Sequence, residues 1–354
     1  MRLKFLFCSV LFSIVFAVAA FADTVYNVDV VVLGAGAGGT TAGLAAVEKG
    51  YNVLVLEKSP ALGGSGNFME GTFAVGSSMQ VQESIGINPE RQFKMVMDFH
   101  HWRINGKVLN NWLKETGPGI EWMKARGINF EKVTTAFIDG NRTWHMFEGG
   151  HGSSLIKVFA EKIRQGGGVI LTETPAKELI MKDGRVVGVI AEDADGERVV
   201  VNAKKGVIVA TGGFPCNEEM IAKYLPYSGY KFLGASYRDG DGIRMMEAAG
   251  SELINMSVVM QAGLWLKDVP SEQLFGASTK YVRLQGVVYQ PYLKVDRQGN
   301  RVADETLPLE YLSNAFEEVG GEGYLVFDEN TRKEVMEVGL INGFFGLIKR
   351  YEKI

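Results

Sequence analysis

Cysteine and histidine are scarce in this chain of 354 residues, which has two cysteines and four histidines. Cys8 falls within an apolar N-terminal run, so Cys216 is the one cysteine left for the folded part and no internal disulfide is expected. The chain has no C-x-x-C-H sequence, which excludes a covalently attached c-type haem of its own. His100 and His101 are neighbours about 100° apart on a predicted helix, a poor arrangement for sharing a metal, so we predict no metal site.

Long apolar runs are equally rare, with a single candidate at the start of the chain. Residues 5–21 are almost entirely apolar, follow Arg2 and Lys4, and end in the A-x-A pattern of residues 20–22. A run of about 17 residues is at the lower limit for crossing a bilayer, and small residues at its end are typical of a cleavage site. A membrane anchor is the alternative interpretation. We predict a cleaved signal peptide over residues 1–22, a periplasmic or secreted protein, and no stable membrane insertion after cleavage.

An excess of positive charge is also absent, since 37 Lys and Arg residues face 41 Asp and Glu residues and the formal net charge is −4. This balance argues against a nucleic-acid partner. The 46% of hydrophobic residues and 22% of charged residues are ordinary for a globular protein. Glycine is abundant, with 44 residues and no G-X-Y period. We therefore expect many turns and ligand-binding loops rather than a collagen-like structure.

The first part of the chain predicts a βαβ unit. Residues 28–33 and 52–57 are short apolar runs of the kind found in buried parallel strands. Residues 38–49 between them have a helical pattern, and Gly50 follows at a position that commonly ends a helix. Parallel strands joined by a helix indicate an α/β fold.

Further along, helical patterns alternate with short strands separated by tight turns. The predicted helices cover residues 89–126, broken at Gly117-Pro118-Gly119, and 154–164, and the predicted strands cover residues 178–182, 185–192, 198–202 and 206–210. The Asp-Gly pairs at 183–184 and 195–196 are favoured hairpin turns, so the first three strands form an antiparallel meander. After Asn255 the alternation stops, which predicts a first domain over residues 23–254 and a second over residues 255–354.

The turn after the first strand has the pattern G-x-G-x-x-G, with Gly34, Gly36 and Gly39 at its fixed positions. The first glycine permits a tight turn, the second lets the backbone approach a pyrophosphate, and the third lets helix and strand pack closely. The helix N-terminus offers N–H groups and a partial positive charge to the phosphates. Glu57, at the end of the next strand, can accept hydrogen bonds from ribose hydroxyls and would repel a 2′-phosphate. This pattern predicts a dinucleotide site.

Four segments together resemble a known family: VVVLGAGAGGTTAGLAA, VLVLEKSPALGGSG, VIVATGGFPCNEEM and GDGIRMMEAAGSEL. In this order they are similar to the flavoprotein subunits of the fumarate reductase and succinate dehydrogenase family, especially the periplasmic flavocytochrome c fumarate reductases. The resemblance covers residues 27–310. It implies an α/β fold: a glutathione-reductase-type FAD-binding domain, with a parallel sheet and a three-stranded meander, and an α+β capping domain.

The resemblance also implies which residues bind FAD. Residues 65 and 70–72 would line the flavin side, while Ala176 would meet the adenine through its backbone. The fingerprint and the resemblance together give the predicted cofactor-binding residues as Gly34, Gly36, Gly38, Gly39, Glu57, Lys58, Gly64, Ser65, Glu70, Gly71, Thr72, Ala176, Thr211, Gly212 and Asp241.

The implied reaction is hydride transfer between flavin N5 and a carbon of an activated C=C bond, with a proton added to the neighbouring carbon. In the family an arginine donates this proton and a histidine holds a substrate carboxylate. This chain has Leu309 at the arginine position and Gly263 at the histidine position. Neither side chain can donate a proton or bind a carboxylate, which argues against fumarate or succinate as the substrate.

Three other residues are candidates for the catalytic positions: Arg283, Tyr281 and His145. Arg283 matches a family arginine that feeds protons toward the active site, and a guanidinium is a good anion clamp. Tyr281 can protonate a carbanion-like centre if its pKa is lowered, as tyrosines do in related ketosteroid dehydrogenases. His145 and His151 flank a glycine pair that can approach a ligand, although each can equally be a structural histidine.

We therefore expect an exported FAD-dependent oxidoreductase acting on a C=C or CH–CH bond of a small organic substrate. Without a haem motif, it would exchange electrons with a separate donor or acceptor, such as a cytochrome or a quinone-linked protein. The glycine-rich segment that completes the family's FAD domain does not follow Asn255, so we expect a C-terminally truncated chain with an incomplete capping domain. Two alternatives stay open: a catalytically inactive flavin-binding protein, and a 3-ketosteroid-dehydrogenase-like enzyme, suggested by Arg301, Glu305 and Pro308.

Overall fold

The computed structural model of the chain describes residues 23–135, 140–227, 230, 232, 234–259, 263–269 and 279–341. The predicted signal peptide, residues 1–22, lies outside these ranges, as do the side chains of residues 279–283 and of Leu309. Within the described ranges, no helix is both long enough and apolar enough to cross a membrane.

Strands and helices alternate along the described residues. The strands are β1 (Thr24–Leu33), β2 (Val53–Leu56), β3 (Gly71–Phe73), β4 (Phe130–Thr134), β5 (Trp144–Phe147), β6 (Val169–Leu171), β7 (Ala176–Lys182), β8 (Arg185–Glu192), β9 (Arg198–Val209), β10 (Leu293–Asp296) and β11 (Gly323–Val326). The helices are α1 (Ala37–Glu48), α2 (Ser78–Gln82), α3 (Pro89–Phe99), α4 (Gly106–Lys124), α5 (Ser153–Gln165), α6 (Glu218–Tyr224), α7 (Asp241–Ala248), α8 (Thr279–Val288), α9 (Leu309–Glu318) and α10 (Glu329–Glu337). The predicted α/β class is confirmed.

A six-stranded sheet in the order β6-β2-β1-β9-β8-β7 organises the larger part of the molecule. Strands β6, β2, β1 and β9 are parallel, whereas β8 and β7 continue the sheet in antiparallel pairing. Val30 and Val32 of β1 are buried on the face that carries α1 and α5, and Val31 and Leu33 are buried on the other face. The central strands are thus apolar on both faces, which explains their uninterrupted Val and Leu runs.

Strand β9 differs from its prediction. Residues 198–202 and 206–210 were expected to form two strands, but they belong to one strand of 12 residues. Its pairing with β1 continues past an irregularity, from Val28 opposite Ala203 to Val30 opposite Gly206. The extra residue in β9 makes a bulge, so the polar segment between the two apolar runs does not end the strand.

The helical region after residue 89 also breaks elsewhere than predicted. Helix α3 ends before a turn in which His101 and Trp102 have left-handed backbones, with φ of 50° and 59°. Asn105 then starts α4 by accepting hydrogen bonds from two N–H groups of its first turn. The predicted break at Gly117-Pro118-Gly119 is wrong, because Pro118 lies inside α4. A Cβ on Gly117 would lie 2.6 Å from the carbonyl oxygen of Val75, so the glycine serves close packing there.

Two smaller sheets complete the described structure. Strands β3, β5 and β4 form an antiparallel sheet in the order β3-β5-β4. After Asn255, β10 and β11 pair antiparallel with each other. Among the described strands they form a two-stranded sheet that is separate from the six-stranded sheet. The predicted domain boundary at residues 254–255 stays a prediction.

Candidate cofactor-binding site

A cavity of about 570 Å³ lies at the carboxyl ends of β1, β2 and β9. The carboxyl edge of a parallel sheet is where α/β proteins bind their ligands. Of the predicted cofactor-binding residues, those that line the cavity are Gly34, Gly36, Gly38, Glu57, Lys58, Gly64, Ser65, Ala176, Thr211, Gly212 and Asp241. The structure thus brings together residues from five separate segments of the chain.

The glycines of the first turn divide into packing and cavity positions. Gly34 has φ of +96°, and a Cβ there would lie 2.6 Å from the carbonyl oxygen of Ala210. A Cβ on Gly39 would collide with the carbonyl oxygen of Gly34, so Gly39 lies beneath the turn and not on the cavity wall. In contrast, a Cβ on Gly36 would have one neighbour, at 3.6 Å, and one on Gly38 would have none within 4 Å. Gly36 and Gly38 leave the backbone open to a ligand.

Helix α1 begins directly at this open surface. Gly36 is its N-cap residue, no side chain caps the helix, and no acidic residue occupies its first turn. The first N–H groups of a helix have no partner within the helix, and the helix dipole places partial positive charge there. This end of α1 is therefore suited to bind a diphosphate.

Glu57 connects the end of β2 to the glycine turn. Its Oε2 accepts a hydrogen bond of 2.7 Å from the backbone N–H of Ala35, and its Oε1 accepts one of 2.8 Å from the N–H of Ser59. A carboxylate offers about four acceptor positions, so two remain for the hydroxyls of a ribose. Glu57 can hold the turn and a sugar at the same time.

Lys58 forms ion pairs with the segment that precedes α7. Its Nζ donates hydrogen bonds to Asp239 and, over 2.8 Å, to Asp241, 183 residues away. Although partial burial opposes the charged form, these two carboxylates raise the pKa of Lys58. Asp241 also pairs with Arg244 one turn along α7. The lysine thereby fastens the end of β2 to the start of α7 across the cavity.

Sequence reasoning missed Arg238, which also lines the cavity. Its guanidinium lies over the ring of Phe232, 4.5 Å from the centroid, and its Nε donates to the carbonyl of Ala235. Partial burial lowers the pKa of Arg238. The sequence offered only a weak indication of its position, namely a basic residue two positions before Gly240-Asp241-Gly242. In the same cavity, the buried Oγ of Ser65 has no hydrogen-bond partner among the described residues.

The predicted residues 70–72 lie outside this cavity lining. Gly71 and Thr72 belong to β3, and a Cβ on Gly71 would collide with the backbone of β5. Glu70 precedes this strand and is half-buried, and its burial raises the pKa of the carboxyl group. The structure therefore places these three residues in or beside the small sheet.

His145, predicted as catalytic, is completely buried in β5. Its Nδ1 lies 3.0 Å from the carbonyl oxygen of Thr143, and its Nε2 lies 2.6 Å from Oγ of Ser77. Both ring nitrogens are thus engaged inside the protein, an environment typical of a structural histidine. The backbones of Tyr281 and Arg283 lie in α8, and their side chains are outside the described residues.

Comparisons with known proteins agree with this site. The family model described as FAD binding domain matches residues 29–330. The vinyl phenol reductase of Lactiplantibacillus plantarum is 31% identical over 92% of this chain, and the cytochrome-type fumarate reductase of Shewanella frigidimarina is 28% identical over 88%. This chain spans 66% and 54% of the lengths of these two relatives.

A solved structure supports the fold alone. The 3-ketosteroid-Δ4-(5α)-dehydrogenase of Rhodococcus jostii superposes with a TM-score of 0.71 at 21% identity, covering 91% of this chain and 70% of that one.

Proposed function

Because this chain belongs to the FAD binding domain family, we propose that it is a FAD-dependent oxidoreductase acting on a C=C or CH–CH bond of a small organic substrate. The predicted resemblance to the fumarate reductase flavoproteins is confirmed by the family match and by the fumarate reductase relative. Its cofactor is FAD. Two relatives are a vinyl phenol reductase and a fumarate reductase, which supports reduction as the direction of the reaction.

One observation carries this proposal: an open glycine turn, an uncapped helix N-terminus and the Glu57 carboxylate converge on a single cavity. A diphosphate fits the amides of α1, and a ribose fits the remaining acceptor positions of Glu57. The buried hydroxyl of Ser65 supplies a further donor that the described residues leave without a partner. These groups suit an adenine dinucleotide better than a compact substrate.

The chemistry divides between the cofactor and the chain. FAD, when bound, would supply the hydride chemistry at a carbon of the substrate. The residues of the chain bind the diphosphate at α1, hold the ribose at Glu57, and provide the proton for the second carbon. We assign that proton to Tyr281 and the binding of a substrate anion to Arg283, since a phenol donates more readily than a guanidinium at neutral pH. Both residues lie on α8.

The substrate assigned here is an unsaturated compound other than fumarate. Leu309 and Gly263 occupy the positions of the family's proton-donating arginine and carboxylate-binding histidine. Without the histidine, one of the two carboxylates of fumarate has no side chain to bind it. A substrate with a single anionic or phenolic end needs only one such binding group. We further propose export through residues 1–22 and electron exchange with a separate cytochrome or quinone-linked protein.

The test starts from the purified chain and its absorbance spectrum. A 1:1 content of FAD is expected, followed by oxidation of a reduced dye in the presence of unsaturated monocarboxylic acids, vinyl phenols, fumarate or 3-ketosteroids. Tyr281→Phe should lower kcat by about a hundredfold or more, and Arg283→Ala should mainly raise KM. Arg332→Ala, on the exposed surface of α10, is the matched control. A yellow protein that turns over none of these compounds would instead be a catalytically inactive flavin-binding protein.

A further inference from the structure

Gln285 is a completely buried side chain of α8 that binds the backbone of an earlier segment of the chain. Its Oε1 accepts a hydrogen bond of 3.0 Å from the N–H of Leu266, 19 residues away. Its Nε2 donates one of 2.6 Å to the carbonyl oxygen of Leu264. The amide therefore pairs with this segment as the peptide group of a neighbouring strand would. One side chain satisfies a backbone donor and a backbone acceptor on either side of Trp265.

An apolar contact joins the same two parts of the chain. Trp265 packs against a cluster of buried residues, and Val287 of α8 packs against that cluster too. The buried members of the cluster are Tyr289, Val335 and Leu340. Apolar contacts are not directional, whereas hydrogen bonds require a fixed distance and angle. The cluster therefore holds α8 near the segment, and the amide of Gln285 determines how the two are aligned.

The chemistry of this junction requires an amide. A glutamine side chain has two N–H donors and one carbonyl acceptor. Besides its bonds to Leu264 and Leu266, the Gln285 side chain hydrogen-bonds to Tyr289, which lowers the pKa of that phenol against the larger, raising effect of burial. Methionine would fill a similar volume but has no N–H to donate, and an ionised carboxylate would repel the carbonyl oxygen of Leu264. These differences allow the role of the amide to be tested separately from its volume.

We propose that Gln285 is a positioning residue that keeps α8 in place for the reaction. The inference rests on the proposed function, in which Tyr281 and Arg283 of α8 serve the substrate. Gln285 lies about one helical turn after Tyr281 and two residues after Arg283, so a shift of α8 at Gln285 moves the backbone of both. Small displacements of reacting groups are costly for turnover. The FAD site is expected to stay intact, because Gln285 does not belong to the described lining of its cavity.

The experiment compares two buried glutamines in the FAD-loaded full chain. The substrate is the compound that the wild type reduces fastest among vinyl phenols, unsaturated monocarboxylic acids, fumarate and 3-ketosteroids. Gln285→Met should lower kcat/KM by about tenfold or more with the FAD content unchanged. Gln290→Met is the matched control, because Gln290 is also completely buried but its Nε2 donates to the carbonyl of Gly286 within α8. The control should stay within about twofold of the wild type. In hydrogen–deuterium exchange, the N–H of Leu266 should exchange faster in Gln285→Met alone.

Gln285→Glu separates positioning from general damage within one folded protein. At neutral pH its carboxylate would face the carbonyl oxygen of Leu264, and that hydrogen bond would be lost. A protonated carboxyl group can donate to Leu264 and accept from Leu266 as the amide does, and burial raises the pKa of such a group. The kcat/KM of Gln285→Glu relative to the wild type should therefore recover as the pH falls toward about 5. Tyr289 and Glu310, titratable groups on this side of α8, are present in both proteins, so the ratio isolates position 285.

Other results would overturn the proposal. Unchanged kcat/KM in Gln285→Met, an equal loss in Gln290→Met, or loss of FAD from Gln285→Met would each remove the positioning role. If Gln285→Met does not fold, Gln285→Glu carries the test, and a ratio that does not rise at low pH would assign Gln285 a purely structural role. A wild type that binds FAD but turns over none of the compounds would instead refute the proposed function, and faster exchange at Leu266 would then reduce Gln285 to a structural anchor.

Discussion

Oε2 of Glu57 lies 2.7 Å from the backbone nitrogen of Ala35, which fixes the glycine turn to a residue 22 positions away. The second oxygen holds the N–H of Ser59 in the same way. Glu57 therefore shapes the glycine turn, in addition to the ribose contact proposed for it. A change in its side chain is expected to affect both proposed contacts, with the diphosphate and with the ribose.

Glu57→Gln should lower FAD affinity by about tenfold and the free energy of unfolding by about 1–2 kcal/mol. The amide keeps one acceptor oxygen, which can still accept a hydrogen bond from one backbone N–H group. Its NH2 group faces the other N–H group, and because both are donors, that hydrogen bond is lost. Titration with FAD and chemical denaturation measure the two effects. Glu178→Gln, an exposed position on β7, is the control and should change neither quantity. Normal FAD binding by Glu57→Gln would contradict a dual role for this carboxylate.

The ion pairs of Lys58 give a second prediction, which concerns charge balance. Lys58→Met should weaken FAD binding by about tenfold, because Asp239 then loses its lysine partner and Asp241 keeps only Arg244, which leaves excess negative charge in the cavity proposed to hold the diphosphate. The loss should shrink at high salt, where repulsion between partly exposed charges is screened. The double variant Lys58→Met/Asp239→Asn removes one of the two charges and should recover part of the affinity. No recovery would mean that Lys58 acts by direct contact with FAD.

The glycine turn and Glu57 were predictable because their chemistry is local. Gly34, Gly36 and Gly39 lie within one strand–turn–helix unit, where spacing alone dictates which position packs and which faces a ligand. Glu57 ends the neighbouring parallel strand, so a single βαβ unit determines its place. The meander was predictable for the same reason, since each of its connections contains an Asp-Gly pair: a two-residue turn at 183–184, and a five-residue loop over 193–197.

The remaining features depend on contacts that spacing does not encode. Arg238 and Lys58 reach the cavity through a pairing of segments about 180 residues apart. The helix break also escaped prediction, because Asn105 caps α4 while Pro118 is tolerated inside it. A proline removes one hydrogen bond from a helix, yet α4 continues through Pro118, and Gly117 beside it packs closely against the backbone of Val75.

Adjacent glycines of α1 allow a matched pair of variants. Gly39→Ala should lower the free energy of unfolding by about 1–3 kcal/mol, because its Cβ would collide with the backbone of Gly34. Gly38→Ala should not destabilise the protein, because its Cβ would have no neighbour within 4 Å. Denaturant unfolding of the two variants measures the difference. Equal stability of both would contradict the close approach of α1 and the turn.

His145 makes stability depend on pH near neutrality. Burial lowers the pKa of His145 below that of the unfolded chain, which is about 6.5. In the folded protein the ring is therefore neutral at a pH at which the unfolded chain already binds a proton. The stabilisation is complete above about pH 6.5 and is lost as the pH falls toward the lower, folded pKa.

The free energy of unfolding of the wild type should therefore decrease between about pH 7.5 and pH 5.5, above the range in which most carboxylates titrate. His145→Gln should be less stable at pH 7.5 by about 1–3 kcal/mol, since it disrupts the hydrogen bonds to Ser77 and Thr143. It should also lack most of the pH dependence in this range. His151→Gln, at an exposed position, should keep the wild-type slope. A slope that survives in His145→Gln would assign the pH dependence to another group and leave His145 without a neutral, buried role.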